Sequence, residues 1–104
     1  MTLRETLESV AAGLDPAPDA MTLPDGSIEW ARDGIVFAAL EGTADVATFR
    51  LDEVLAEAAR RTPDTAPTPR GNPWVVFAPG VLDDHAIDRA RAWFEAAYRR
   101  AVTG

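Results

Sequence analysis

The last third of the chain constrains the fold more than any other stretch. Residues 74–78 read Trp-Val-Val-Phe-Ala, a short apolar run typical of a buried strand, and Pro79-Gly80 ends it. Asp83 or Asp84 is placed to cap a helix that continues to about Ala101. Apolar residues recur along that helix at helical spacing, which predicts that one of its sides packs on the sheet.

A second helix is predicted at the start of the chain. Thr2 and Glu5 have the spacing of a capping box, in which each side chain accepts a hydrogen bond from a free backbone N–H. Leucines at helical spacing follow and predict a helix over residues 3–13. The stretch 15–26 contains three prolines and three aspartates, so we predict a loop there.

Three short strands are expected in the middle of the chain. Asp33-Gly34 is a strong hairpin signal because glycine accepts the positive φ that a tight turn needs. A further turn is predicted at 42–44. Alternation in the third strand predicts that Ala47, Phe49 and Leu51 share one face and that Val46, Thr48 and Arg50 share the other. The predicted strands are residues 28–31, 35–41 and 45–51.

A short helix and a second loop complete the reading. Asp52 can cap a helix over about 53–61, with an expected apolar stripe of Val54, Leu55, Ala58 and Ala59. Residues 62–73 contain four prolines and one glycine and are predicted to form an exposed loop.

The sequence therefore predicts an α+β fold in the order α-β-β-β-α-β-α. Its single antiparallel sheet would have about four strands with helices packed on one face, in one domain spanning 1–104.

Composition narrows the functional classes. The chain has a net charge of −7, which disfavours nucleic acid as a partner although arginine clusters could still provide a binding face. All ten basic residues are arginine, a pattern that codon bias in a GC-rich bacterial genome explains. No cysteine is present, which excludes disulfides and thiolate chemistry. The sequence shows no signal peptide or membrane-spanning segment, so no membrane association and a cytoplasmic location are expected.

The middle and the end of the chain resemble the YjbR/MmcQ-like family of small bacterial proteins. The resemblance covers roughly residues 28–102 and is carried by the run 28–40, by Thr48-Phe-Arg-Leu-Asp-Glu53 and by Trp74-Val-Val-Phe with the following Pro-Gly-Val-Leu-Asp. Tyr98 in the final helix adds to it. The resemblance implies a compact α/β domain with a frataxin-type sheet, and it implies DNA binding as a possible function.

The sequence contains no complete catalytic set. His85 is the only histidine, and neither Ser9 nor Ser27 has a nucleophile-elbow pattern around it. Asp84, His85 and Asp88 have spacing that could face a metal, but capping and solvation explain these residues better. We therefore predict no catalytic residues, no metal site and no cofactor.

A binding surface is the remaining possibility. Arg50, Arg70 and Trp74 would form an aromatic and cationic patch beneath the 62–73 loop if Trp74 shares the sheet face of Thr48 and Arg50. Trp30 and Tyr98 are further weak candidates. Packing in the core or at an edge of the sheet is the favoured interpretation for both Trp30 and Trp74. Pairing of Arg50 with a neighbouring carboxylate and simple solvation of Arg70 are the alternatives for the two arginines.

These observations lead to two hypotheses of function. The first is a non-catalytic binding or interaction module for an unknown protein or small ligand. The alternative is a DNA-binding protein of the YjbR/MmcQ-like type, which would need an arginine-rich face. That face would come from Arg89, Arg91, Arg99 and Arg100 or from Arg60, Arg61 and Arg70.

Overall fold

The computed structural model describes residues 2–41 and 45–101, which leaves the turn predicted at 42–44 outside the described residues. Within those ranges, three helices and six strands follow one another along the chain. They are α1 (Leu3–Gly13), β1 (Asp19–Thr22), β2 (Ile28–Arg32), β3 (Ile35–Leu40), β4 (Ala47–Arg50), α2 (Glu53–Arg60), β5 (Thr65–Pro67), β6 (Trp74–Phe77) and α3 (Asp84–Arg100).

All six strands form one antiparallel sheet in the order β1-β2-β3-β4-β6-β5. The first four strands are a meander in which each strand pairs with the next. β6 then pairs with β4, so that Thr48 lies opposite Val76 and Arg50 opposite Trp74. β5 adds to the outer side of β6. The two edges of the sheet are therefore β1 and β5.

The predicted α+β class and the single antiparallel sheet agree with the structure, but the predicted strand number and element order are wrong. The sheet has six strands among the described residues rather than about four. The observed order is α-β-β-β-β-α-β-β-α, not α-β-β-β-α-β-α. The two additional strands, β1 and β5, lie inside the stretches 15–26 and 62–73 that were predicted as loops.

β1 forms because a tight turn folds the chain back onto β2. The Leu23 N–H donates to the Ser27 carbonyl at 2.8 Å, and the Gly26 N–H donates to the Leu23 carbonyl at 2.9 Å. Gly26 has a φ of 89°, a conformation that glycine adopts without steric cost. The turn therefore uses an Asp-Gly pair at 25–26, the same signal that predicted the hairpin at 33–34.

β5 forms because a threonine hydroxyl fixes the chain at the end of α2. The Thr65 hydroxyl lies 3.1 Å from the Ala59 carbonyl oxygen and 3.0 Å from the Thr62 carbonyl oxygen, both acceptors near the last turn of that helix. The anchored segment then pairs with β6 over three residues. Pro67 ends this short strand, as expected for proline at a sheet edge.

The core lies between one face of the sheet and the helices. Trp30 and Phe37 each meet the Phe94 ring of α3 edge-on, with centroid distances of 5.3 and 5.2 Å. Trp93 packs edge-on against Phe77 of β6 at 5.1 Å. A bulge in the pairing of β2 with β3 at Trp30/Ala31 allows both Phe37 and Ala38 to be buried in consecutive positions.

Helix α2 buries a different side from the one predicted. Its buried residues are Ala56 and Ala59, whereas Val54 is 81% exposed. The predicted stripe of Val54, Leu55, Ala58 and Ala59 is therefore wrong for Val54 and Ala58. Close packing on β5 and β6 favours small side chains, so alanine takes the inward positions.

The helix starts follow the local sequence signals. Thr2 and Glu5 form both hydrogen bonds of the capping box of α1. Asp83, not Asp84, is the N-cap of α3, and its carboxylate accepts the Ala86 N–H at 2.9 Å. Among the residues with described positions, no helix combines the length and the apolar character needed to cross a bilayer.

Candidate functional site: the open face of the sheet

The helices leave the other side of the sheet without a helical cover. We call this side the open face. It carries Glu29 of β2, Ala39 of β3, Thr48 and Arg50 of β4, and Trp74 and Val76 of β6. Each of these residues alternates with a core residue on its strand, as the pleat requires.

The loop between β5 and β6 folds back across the open face. Its Arg70 stacks on Trp74, with the guanidinium carbon 4.8 Å from the ring centroid. The other end of the same guanidinium lies 3.5 Å from the Glu29 carboxylate, on a strand near the opposite side of the sheet. Because cation–π contacts act within about 6 Å, Arg70 links the aromatic and the acidic parts of this face.

A groove of about 480 Å³ lies beside this bridge. Arg70 and Thr68 form one wall, and the turn between β1 and β2 contributes Leu23 and Asp25 to the other. Thr48 and Ala39 form part of its floor. The groove is partly open to solvent and does not enclose a small molecule completely, so a side chain or a segment of another chain can enter it.

The charges in the groove are unevenly distributed. Asp25, Glu29 and Glu41 line the end near β1 to β3. Arg50 lies two residues beyond Thr48 along β4, opposite Trp74, and makes no ion pair within the described parts of the chain. The face therefore has an acidic end and an end that combines a cation with an aromatic ring.

The acidic end includes one carboxyl group with a shifted pKa. The Ser27 N–H donates to the Asp25 carboxylate at 2.8 Å. This backbone hydrogen bond, together with one from the Ser27 hydroxyl, lowers the pKa of Asp25 below its usual value. Asp25 therefore stays charged at neutral pH. Its hydrogen bond also fixes the turn that forms this wall of the groove.

The structure brings three of the five candidate binding residues together. Arg50 lies directly opposite Trp74 on the neighbouring strand, and Arg70 stacks on the same ring. Trp30 and Tyr98 lie elsewhere, on the helix-covered side, with exposed fractions of 1% and 5%. The Tyr98 hydroxyl donates to the Pro16 carbonyl, so its polar end is already occupied.

Sequence reasoning missed Glu29 as a member of this site. A signal was available, because Glu29 precedes Trp30 on a strand and alternation places the two side chains on opposite faces. Once Trp30 is assigned to the core, Glu29 must lie on the open face. The contact between Glu29 and Arg70 depends on the path of the loop and has no comparable signal.

The metal ligands suggested by the spacing of residues 84, 85 and 88 do not form a site in the described part of the chain. Asp84 and His85 are exposed in the first turn of α3, after the capping Asp83. Across residues 2–41 and 45–101, no three histidine, aspartate or glutamate side chains converge as metal ligands would.

The fold and this face define an α+β protein with one helix-covered and one open sheet surface. Comparison of the chain with protein-family models, curated proteins and solved structures finds no significant match. The resemblance to the YjbR/MmcQ-like family therefore stays a prediction.

Proposed function

We propose that this protein is a non-catalytic binding module that holds an extended segment of a partner protein on the open face. The observation that carries the proposal is the meeting of Arg50, Arg70 and Trp74 at one end of that face. Arginine and tryptophan are the residues most enriched among those that contribute strongly to protein interfaces. Here Arg50 and Trp74 lie on paired strands, which hold them more rigidly than a loop would, and Arg70 reaches the same ring from the loop between β5 and β6.

The partner segment is expected to carry a carboxylate that contacts Arg50. A guanidinium with no ion pair among the described residues is free to take a bidentate carboxylate, and the neighbouring Trp74 supplies an apolar surface beside it. Asp25, Glu29 and Glu41 at the other end favour a basic residue of the same segment. A segment with both charges matches the face better than a uniformly anionic polymer.

DNA binding, the alternative, is less supported. Four of the seven arginines in the two proposed faces contact groups of the chain itself, and the net charge of −7 opposes binding to a polyanion. Arg60 and Arg89 donate to backbone carbonyls of Asn72 and Pro63, and Arg61 and Arg70 pair with Glu57 and Glu29. Arg91, Arg99 and Arg100 remain exposed on α3.

The test is a nuclear magnetic resonance titration of the ¹⁵N-labelled protein. The probe is a short peptide in which glutamates and lysines alternate, and a peptide of lysine alone is the comparison. We expect the mixed peptide to shift the Trp74 indole resonance and the amides of β4 and β6. Arg50→Gln should weaken this binding about tenfold, which corresponds to loss of one charged contact.

Arg99→Gln is the matched control, since Arg99 is an exposed arginine in the last turn of α3. Equal weakening by both substitutions would contradict a site on the open face. A parallel titration uses duplex DNA at about 50 mM and about 200 mM salt, between which phosphate contacts weaken steeply. Salt-sensitive DNA binding that is lost in Arg99→Gln but kept in Arg50→Gln would support the alternative instead.

A further inference from the structure

The β1 edge of the sheet has free hydrogen-bonding groups in a defined pattern. All four residues of β1 are exposed, and among the described residues no strand lies on its outer side. Leu23 bonds to Ser27, its opposite residue on β2. Since bonded and non-bonded pairs alternate in an antiparallel ladder, the bonded pairs of β1 are Met21–Glu29 and Asp19–Ala31. Ala20 and Thr22 therefore direct their N–H and C=O groups outward.

This pattern is self-complementary. If a second β1 approaches in antiparallel orientation with Met21 opposite Met21, each Ala20 lies opposite a Thr22. Those two pairs exchange four hydrogen bonds, because both residues present N–H and C=O to the outside. The central methionines form the close, non-bonded pair, in which side chains approach best.

The side chains at this edge fit the same arrangement. Met21 lies on the open face and is 61% exposed, an unusually large apolar surface for an edge strand. Ala20 and Thr22 point to the helix side, where a groove of about 260 Å³ separates β1 from α1. A second copy would bring the same small side chains to that groove. Arg4 and Glu8, one charge of each sign, line it.

The opposite edge lacks these properties. β5 has only three residues and ends in Pro67, which has no N–H to donate. Edge strands are commonly protected by proline or by central charges. The two central residues of β1 are Ala20 and Met21, so the middle of this strand contains no proline and no charged residue.

We propose that β1 is a pairing surface for a second copy of this chain, which joins two sheets into one through antiparallel contact centred on Met21. The contact is short, so the association is expected to be weak and to appear at concentrations between about 10 µM and about 1 mM. It is independent of the partner proposed for the open face.

Sedimentation velocity over that concentration range tests the pairing. Met21→Lys places a cation beside Glu29 within one chain and opposite an identical cation in the pair. We expect this substitution to keep the fold and to weaken association at least tenfold. Val81→Lys is the matched control, because Val81 is 74% exposed and lies outside the sheet. A chain that stays monomeric throughout, or an equal effect of both substitutions, would overturn the proposal.

Amide hydrogen exchange monitored by nuclear magnetic resonance gives a second measurement, which reports on individual N–H groups of β1. The N–H groups of Ala20 and Thr22 should exchange rapidly in dilute protein and become protected as concentration rises. The Met21 N–H, which bonds to β2, should be protected at both concentrations. Self-association that leaves the exchange of Ala20 and Thr22 unchanged would place the contact elsewhere and would also overturn the proposal.

Discussion

Arg32 and Tyr98 contact each other in two ways. The guanidinium carbon of Arg32 lies 4.1 Å from the centre of the Tyr98 ring, and its Nη1 donates to the Tyr98 carbonyl at 2.9 Å. One arginine at the end of β2 thus covers an aromatic ring and satisfies a carbonyl near the end of α3. Tyr98, which lies on the helix-covered side of the sheet, is therefore fully engaged by its own chain.

This contact predicts a loss of stability when Arg32 is replaced. Arg32→Met should lower the free energy of unfolding by about 1–2 kcal/mol, because it removes a charged donor and a cation–π contact. Arg32→Lys keeps the charge and should lose less. Urea unfolding measures both, with Arg91→Met as the control at an exposed arginine of α3. Equal stability of Arg32→Met and the wild type would contradict this account.

The capping of α3 gives a prediction that separates two adjacent aspartates. Asp83→Ala should cost about 1 kcal/mol, since the Ala86 N–H loses its acceptor. Asp84→Ala removes only a favourable charge near the helix start and should cost a few tenths of a kcal/mol. Thermal or urea unfolding of the two variants decides between them. The reverse order would mean that Asp84 is the cap.

Trp74 provides an optical test of the Arg70 contact. Trp30 and Trp93 have exposed fractions of 1% and 6%, whereas Trp74 is only partly buried. Acrylamide should therefore quench mainly Trp74, and Trp74→Phe should remove most of the quenchable emission. Arg70→Ala should raise the quenching constant because the ring loses its guanidinium cover. Arg99→Ala should leave it unchanged. An Arg70→Ala protein that is quenched like the wild type would argue against the stacking.

The Glu5 carboxylate predicts a pH dependence of stability. The Thr2 N–H donates to it at 2.9 Å, and with the Thr2 hydroxyl this lowers the pKa of Glu5 below its usual value of 4.5. A lowered pKa in the folded state means stabilisation that is present above pH 4.5 and is lost as the pH falls through the lowered pKa.

Glu5→Gln tests this dependence. The stability difference between wild type and variant should be measurable at pH 7 and should be smaller at an acid pH below 4.5, because the stabilisation is lost as the pH falls through the lowered pKa of Glu5. Thermal unfolding at both pH values measures it. A difference of the same size at both would show that charge on Glu5 does not stabilise the capping box.

Local signals predicted the elements that depend on a few neighbouring residues. The Thr2–Glu5 spacing identified α1, and Asp33-Gly34 identified the hairpin of β2 and β3. β1 and β5 were missed because both are short edge strands that have no buried face of their own to produce a hydrophobic pattern. Proline near each strand favours a loop assignment, and the Asp-Gly pair at 25–26 is a hairpin signal that lies within the proline-rich stretch.

Only the part of the candidate site that lies on strands was predictable, because alternation assigns strand residues to one face of the sheet. Alternation assigned Arg50 to the face opposite Phe49, and the pairing of β4 with β6 then brings Trp74 beside it. The position of Arg70 depends on how the loop returns over the sheet, which no local pattern encodes. For this reason the Glu29–Arg70 pair became visible only in three dimensions.

The insertion of β6 between β4 and β5 has a consequence for how the chain folds. Each hairpin of the β1–β4 meander closes over a short distance in the chain. Pairing of Phe49 with Val75, in contrast, requires the whole segment between them, which contains α2 and β5, to form a loop. Closing this longer loop costs more chain entropy than closing a hairpin, so we expect β6 to pair with β4 after the meander has formed. Until it occurs, β4 is a bare edge with an apolar side, open to pairing with other chains. We therefore expect slower pairing of β6 with β4 to leave a newly made chain open to aggregation for longer.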